Sequence, residues 1–154
     1  TALNKRLARE SITLFTGSES LVHTFKNDGF SCLVFGEPAN QIFAEKVAKI
    51  AREGPQNKNN ILIALYPPKV KPQNNFDLKT EELELLRQLL KTKKVVLYVF
   101  GNPYVLNLIN YKSAEAIVLG YQNFSEFQDM AFAHFMGNQK AKGGLAVSLN
   151  PKKN

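Results

Sequence analysis

Two six-residue runs constrain this chain more than anything else in it. Ile61–Tyr66 and Val95–Phe100 are apolar at every position, apart from the hydroxyls of Tyr66 and Tyr98. A strand with one wet face alternates apolar and polar residues. A strand without alternation is buried on both faces, as in a parallel sheet covered by helices. Each run ends at a breaker, Pro67-Pro68 in the first case and Gly101 in the second. Phe30–Phe35, ending at Gly36, and Glu115–Leu119, ending at Gly120, repeat the pattern. The segments between them have helical spacing. Ile42, Phe43, Val47 and Ile50 mark a helix over Ala39–Arg52, stopped by Gly54-Pro55. Leu83, Leu86 and Leu90 mark another over Thr80–Lys91, with Glu81, Glu82 and Glu84 giving it an acidic start. Asn102 can cap a further helix that begins at Pro103, where a missing N–H costs nothing. A helix over Phe124–Met136 closes at Gly137.

A helix over Leu3–Ser11 and a short strand over Ile12–Phe15 open the chain, and a last strand over Leu145–Leu149 precedes the tail. Strands alternating with helices of about a dozen residues imply parallel crossover units. The expected fold is a three-layer α/β/α sandwich around a mostly parallel sheet of five or six strands. With 154 residues, no repeat, no low-complexity stretch and no linker, one domain over 1–154 is the economical reading. The chain begins at Thr1, already in helical sequence, so the expectation is a fragment boundary within a longer protein.

The formal charge is +7, but the basic residues are scattered: Lys5, Arg6 and Arg9; Lys69 and Lys71; Lys91, Lys93 and Lys94; Lys140 and Lys142; Lys152 and Lys153. No aromatic-plus-basic motif joins them, so a solvated surface is expected and no nucleic-acid partner. A basic module for acidic polymers is the residual reading of the charge. No apolar run approaches the roughly 20 residues of a membrane span. Cys32 is the only cysteine, which excludes an internal disulfide and reads as a buried thiol.

Ligands of open α/β sheets bind beyond the carboxyl ends of the strands. Those ends read Gly36-Glu37-Pro38, Tyr66-Pro67-Pro68, Gly101-Asn102-Pro103 and Gly120-Tyr121-Gln122. None carries a dinucleotide, phosphate-loop or nucleophile-elbow pattern. Asp28, Asp77 and Asp129 do not sit at strand ends, and His23 and His134 have no partners at metal-ligand spacing. His134, between Phe132 and Phe135, reads as structural. Glu37 is the best-placed carboxylate, yet glycoside hydrolysis ordinarily needs two acidic groups and Glu37 has no visible partner. Thr16-Gly17-Ser18-Glu19-Ser20 is weighed as a flavin phosphate nest against a plain turn; Glu19 argues for the turn. The helix Phe124–Met136 is apolar almost all round, which implies burial on two sides, either against another domain or in a crowded core.

Several segments together resemble the carboxy-terminal α/β sandwich domain of glycoside hydrolase family 3. Arg6–Leu14 (Arg-Leu-Ala-Arg-Glu-Ser-Ile-Thr-Leu) is similar to the helix and strand that open that domain. Val95–Phe100 with Gly101-Asn102-Pro103-Tyr104 resembles its strand and Gly-x-Pro turn, and Ala114–Gln122 its strand ending in Tyr-Gln. Gln128–Gly137 followed by Gly143–Ser148 resembles its closing helix and final strand, with Ala146 where the family has Pro. The resemblance runs from Leu7 to Leu149. It implies an accessory domain partnered with an amino-terminal (β/α)8 barrel of the same parent chain, and a parent that hydrolyses terminal β-linked sugars. In the β-glucosidase branch, the loop after the strand Ile61–Tyr66 carries an acid/base Glu. Here Pro67–Asn75 has no acidic residue. The likeness is therefore to the β-N-acetylglucosaminidase branch, where nucleophile and His-bearing loop come from the barrel. This implies no catalytic, cofactor-binding or metal residue in the chain itself, with carbohydrate reached only through the parent. The compartment stays open between periplasmic or extracellular and cytoplasmic. The alternative from another class is a flavodoxin-like protein binding flavin mononucleotide through Thr16–Ser20.

Overall fold

The computed structural model describes residues 2–51 and 59–143. Five strands form one sheet in the order β1-β5-β4-β3-β2. The strands are β1 (Thr13–Thr16), β2 (Ser31–Gly36), β3 (Asn60–Tyr66), β4 (Lys94–Val99) and β5 (Ala116–Leu119). The pairs β2–β3, β3–β4 and β4–β5 are parallel. β1 runs antiparallel along the outer edge of β5, with a bulge at Phe15 between the Leu14 and Thr16 pairs. The expected mostly parallel sandwich is present, with five strands among the described residues. The expected strand Leu145–Leu149 lies outside them, as does the Gly54-Pro55 stop.

The helices are α1 (Ala2–Ser11), α2 (Glu19–Asp28), α3 (Ile42–Ile50), α4 (Thr80–Thr92) and α5 (Ser125–Phe135). α3 begins at Ile42, three residues later than expected, and Asn40 just before it is held by Gln128 of α5. Beyond Asn102 the expected α-helix is a short 3-10 segment, Pro103–Leu108. The Asn102 cap is present, its Oδ1 accepting from the Tyr104 N–H at 2.9 Å. The turn ends at Ile109, whose backbone is extended (φ −133°, ψ 164°), so it does not propagate into an α-helix.

Strand periodicity divides the core in two. Ile61, Ile63 and Leu65 of β3, Val95, Leu97 and Val99 of β4, and Ile117 and Leu119 of β5 face one way. They meet Leu83, Leu86, Leu89 and Leu90 of α4 and Val105, Leu106 and Ile109. The alternate residues, Leu62, Ala64 and Tyr66, Val96, Tyr98 and Phe100, and Ala116 and Val118, face the other way. They meet Val22 and Phe25 of α2, Phe43, Ala44 and Val47 of α3, and Ala131 and Phe135 of α5. The buried residues of the first face are aliphatic but for Phe35 and Phe76, with Phe15, Tyr111 and Tyr121 at its margin, whereas the second is built largely of rings. Phe43 lies 4.6 Å from Tyr98 and 5.2 Å from Phe100, and Tyr66 stacks on Phe100 at 5.0 Å, centroid to centroid.

The two-sided apolarity of α5 is matched in large part by neighbours within the chain. α5 packs on the sheet with one side and on α1 and α3 with others. These contacts cover most of its apolar circumference, while Phe124 at its start stays half exposed.

Candidate functional site at the carboxyl edge of the sheet

Four parallel strands place their carboxyl ends along one edge, and the loops there enclose a cleft of about 300 Å³. Its walls are Pro67–Val70 after β3, Phe100–Pro103 after β4 and Tyr121–Asn123 after β5. Two close approaches shape it. At Gly101 an added Cβ would press on the Pro67 ring at 3.0 Å, and at Gly120 it would meet the Phe100 ring at 2.8 Å. Tyr121 holds a left-handed backbone, φ 68°, which turns the chain across the mouth. Asn102 donates from Nδ2 to the Val70 carbonyl at 2.9 Å, tying the β4 loop to the β3 loop.

Below the cleft, Gln128 of α5 acts as a polar hub. It is fully buried. Its Oε1 accepts from the Phe43 N–H at 2.9 Å and from the Tyr66 hydroxyl at 2.8 Å. Its Nε2 donates to the Asn123 carbonyl at 2.8 Å and to Asn40 Oδ1. One side chain thus fixes the first turn of α3, the end of β3 and the loop after β5. Burial pushes the Tyr66 hydroxyl well above the usual tyrosine range, so it stays protonated and keeps donating. Sequence reading missed Gln128. Its signal was an amide on the buried stripe of an otherwise apolar helix, with Phe127, Ala131, His134 and Phe135.

The lining side chains of this cleft include Lys69, Tyr121 and three amides, and no carboxylate or histidine. Glu37 lies on the same edge but is two-thirds exposed and paired with Lys79 at 3.5 Å. The neighbouring Glu82 accepts from the Gly36 N–H at 3.0 Å, holding the end of β2. Glu37 is therefore a surface partner, as its solitary position in the sequence suggested. The cleft can hold a neutral polar ligand, but its walls offer no acid and nucleophile on opposite sides of a bond.

The Thr16–Ser20 turn opens at the opposite edge, away from the ligand edge of the parallel strands, which favours the plain turn over the flavin alternative. β1 is antiparallel, so its carboxyl end lies beside the start of β5. There an added Cβ on Gly17, φ +86°, would sit 2.6 Å from the Glu115 carbonyl. Ser18 is committed to capping α2, its Oγ accepting from the Leu21 N–H at 3.1 Å. Glu19 is committed as well. It accepts from His134 Nε2 at 2.7 Å, while His134 Nδ1 meets the Tyr98 hydroxyl at 2.7 Å. This chain of bonds links α2, α5 and β4, and His134 is 3 % exposed. Burial raises the Tyr98 hydroxyl well above its ordinary range. The histidine is buried and bonded at both ring nitrogens, and its partner Glu19 lies 115 residues away and reads in the sequence only as a charge in the turn. No group of three or more metal-ligating side chains occurs among the described residues.

No protein-family model matches the chain, and no curated protein matches it by sequence. Solved structures do match by shape. A fungal multi-domain family 3 glycoside hydrolase, a β-N-acetylglucosaminidase with a GCN5-related glucosamine N-acetyltransferase region, superposes with a TM-score of 0.63 at 13% identity. The match covers 97% of this chain and 19% of that one. The β-glucoside phosphorylase BglX superposes with a TM-score of 0.62 at 16% identity, covering 91% of this chain and 30% of its own. A family 3 β-N-acetylglucosaminidase from Paenibacillus sp. str. FPU-7 superposes with a TM-score of 0.56 at 12% identity, covering 94% and 32%. The chain has the fold of a segment found in these enzymes. It spans about a fifth to a third of the length of the solved chains it matches, from 19% to 32%.

Proposed function

We propose that this chain is the accessory α/β sandwich domain of a family 3 glycoside hydrolase, of the type whose parent acts on terminal β-linked N-acetylglucosamine. In this reading it braces a catalytic barrel and performs no bond cleavage itself. The observation that carries the reading is the fold likeness, which takes in nearly all of this chain but under a third of each matched enzyme. The chemistry of the carboxyl edge supports it. The Pro67–Asn75 loop offers Lys69 and Lys71 where a general acid would be needed, and the cleft beside it is lined without any carboxylate. A rigid rim of prolines, amides and one lysine suits contact with a neighbouring domain or the outer part of a sugar.

Two measurements test it. The purified chain is expected to release no chromophore from 4-nitrophenyl N-acetyl-β-glucosaminide, and turnover that survives repurification would overturn the non-catalytic assignment. Sequencing the gene upstream of Thr1 is expected to find an open frame running into a barrel-sized domain with an Asp nucleophile and a His-bearing loop. A frame without such a domain would overturn the accessory role.

A further inference from the structure

A second cleft lies on the aliphatic side, between α4 and the two 3-10 segments Pro103–Leu108 and Tyr111–Ser113. Its volume is about 440 Å³, larger than the carboxyl-edge cleft and within the range of small-molecule sites. Arg87 and Lys91 stand one helical turn apart on its α4 wall, and Asn107, Asn110 and Ser113 line the other. Leu90, Leu108 and Ile109 supply apolar surface between them. No carboxylate lines the cleft, and neither cation makes an ion pair among the described residues. Two like charges at i and i+4 repel on a helix, so the pair lowers helix stability unless an anion joins it.

Arg87 is already oriented. Its Nε donates to the Leu108 carbonyl at 2.9 Å, across the cleft wall. That bond leaves both terminal guanidinium nitrogens as a fork whose direction is fixed, the geometry that pairs with phosphate oxygens in a bidentate way. Asn107 adds a second observation. Its Oδ1 is buried and has no hydrogen-bond donor, a state that costs stability until a donor arrives. The amide torsion of asparagine is broad, so a small rotation presents this acceptor to a ligand hydroxyl. Asn110 and Ser113, bonded to each other at 3.0 Å, extend the polar wall.

The geometry points to a binding site for a small phosphorylated polyol, a sugar phosphate being the simplest, with the phosphate on Arg87 and Lys91 and the hydroxyls on Asn107 and its neighbours. The site is separate from the carboxyl edge and does not depend on the glycosidase reading. The probes are glucose 6-phosphate, glucose and inorganic phosphate, titrated calorimetrically into the intact chain. Glucose 6-phosphate is expected to bind saturably with a Kd below about 1 mM, more weakly as salt rises, while glucose does not bind. Arg87→Gln and Lys91→Gln, both at exposed positions, are each expected to weaken it at least about tenfold with unchanged circular dichroism. Asn107→Leu is expected to weaken glucose 6-phosphate more than inorganic phosphate. Absence of saturable binding, or equal binding by the wild type and both charge variants, would overturn the proposal. Inorganic phosphate binding as tightly as glucose 6-phosphate would overturn its polyol half by reducing the cleft to a simple anion site.

Discussion

The two faces of the sheet solve the same packing problem with different chemistry. Against α4 the strands present Ile, Leu and Val, and the helix answers with four leucines. Against α2, α3 and α5 they present Tyr66, Tyr98 and Phe100, and the helices answer with Phe25, Phe43 and Phe135. The ring-built face sets Gln128 and His134 among its rings, bonded to the hydroxyls of Tyr66 and Tyr98. The aliphatic face must hold one helix and can do so without direction. The other face must orient three helices with respect to one another. Rings with hydroxyls at their tips do this, because each hydroxyl has to find a partner at a defined place.

The comparison breaks most sharply at Gln128. Gln128→Leu keeps the volume but leaves the Phe43 N–H and the Tyr66 hydroxyl as buried donors without an acceptor. At about 1–3 kcal/mol for each, the expected loss is about 4 kcal/mol by urea unfolding, with faster hydrogen exchange at the Phe43 amide. A loss below about 1 kcal/mol would mean that the hub is replaceable by packing alone. On the opposite face, Leu86→Ala removes a side chain 1 % exposed, with an expected cost of about 3 kcal/mol. Here exchange at the Phe43 amide should change only as global stability does. Parallel changes at that amide in the two variants, once scaled to stability, would erase the distinction between the faces.

Tyr98→Phe is a gentler probe of the ring-built face. It deletes only the hydroxyl at 2.7 Å from His134 Nδ1 and is expected to cost about 1–2 kcal/mol, read by the same unfolding curves. The smallest effect is expected at Cys32, on the outermost strand of the ring side. Burial pushes its thiol up to about 11 from 9.0, so at pH 8 the thiolate is about a hundredfold scarcer than on an unburied thiol. Alkylation by iodoacetamide should be slow at pH 8 and climb until about pH 11. The sign for stability follows: the protonated thiol is favoured in the folded state, so its contribution is complete below pH 9 and is lost as pH rises toward 11. Alkylation as fast as that of a free thiol at pH 8 would show that β2 is open to solvent at this position.

Much of this was legible in the residues. The continuous apolar runs located β3 and β4 within one residue, since burial on both faces leaves no room for polar positions. The breakers placed every loop of the carboxyl edge. What stayed hidden was long-range. Nothing near Glu19 in sequence says that its carboxylate meets His134, and nothing near Gln128 says that it will hold Phe43 and Tyr66, because those bonds join elements 62 to 115 residues apart. The direction of β1 was also hidden. A four-residue strand beside a glycine turn reads alike in either orientation, yet its antiparallel setting moves Thr16–Ser20 away from the ligand edge. The 3-10 segment after Asn102 shows the limit of capping signals, which mark where a helix begins and not how far it goes.

The outer edge of the sheet has a mechanical side. The Ile12 carbonyl accepts from both the Lys142 N–H at 3.1 Å and the Gly143 N–H at 2.8 Å. Gly143 approaches so closely that a Cβ there would strike the Ser11 carbonyl. The first and last described segments of the chain therefore meet beside β1, where α1 also packs on α5. Tension applied through both would load this carbonyl, the α1–α5 packing and the β1–β5 ladder together. The three parallel pairings behind it would carry almost none of the load, so a pull from neighbouring segments would strip an edge and spare the core.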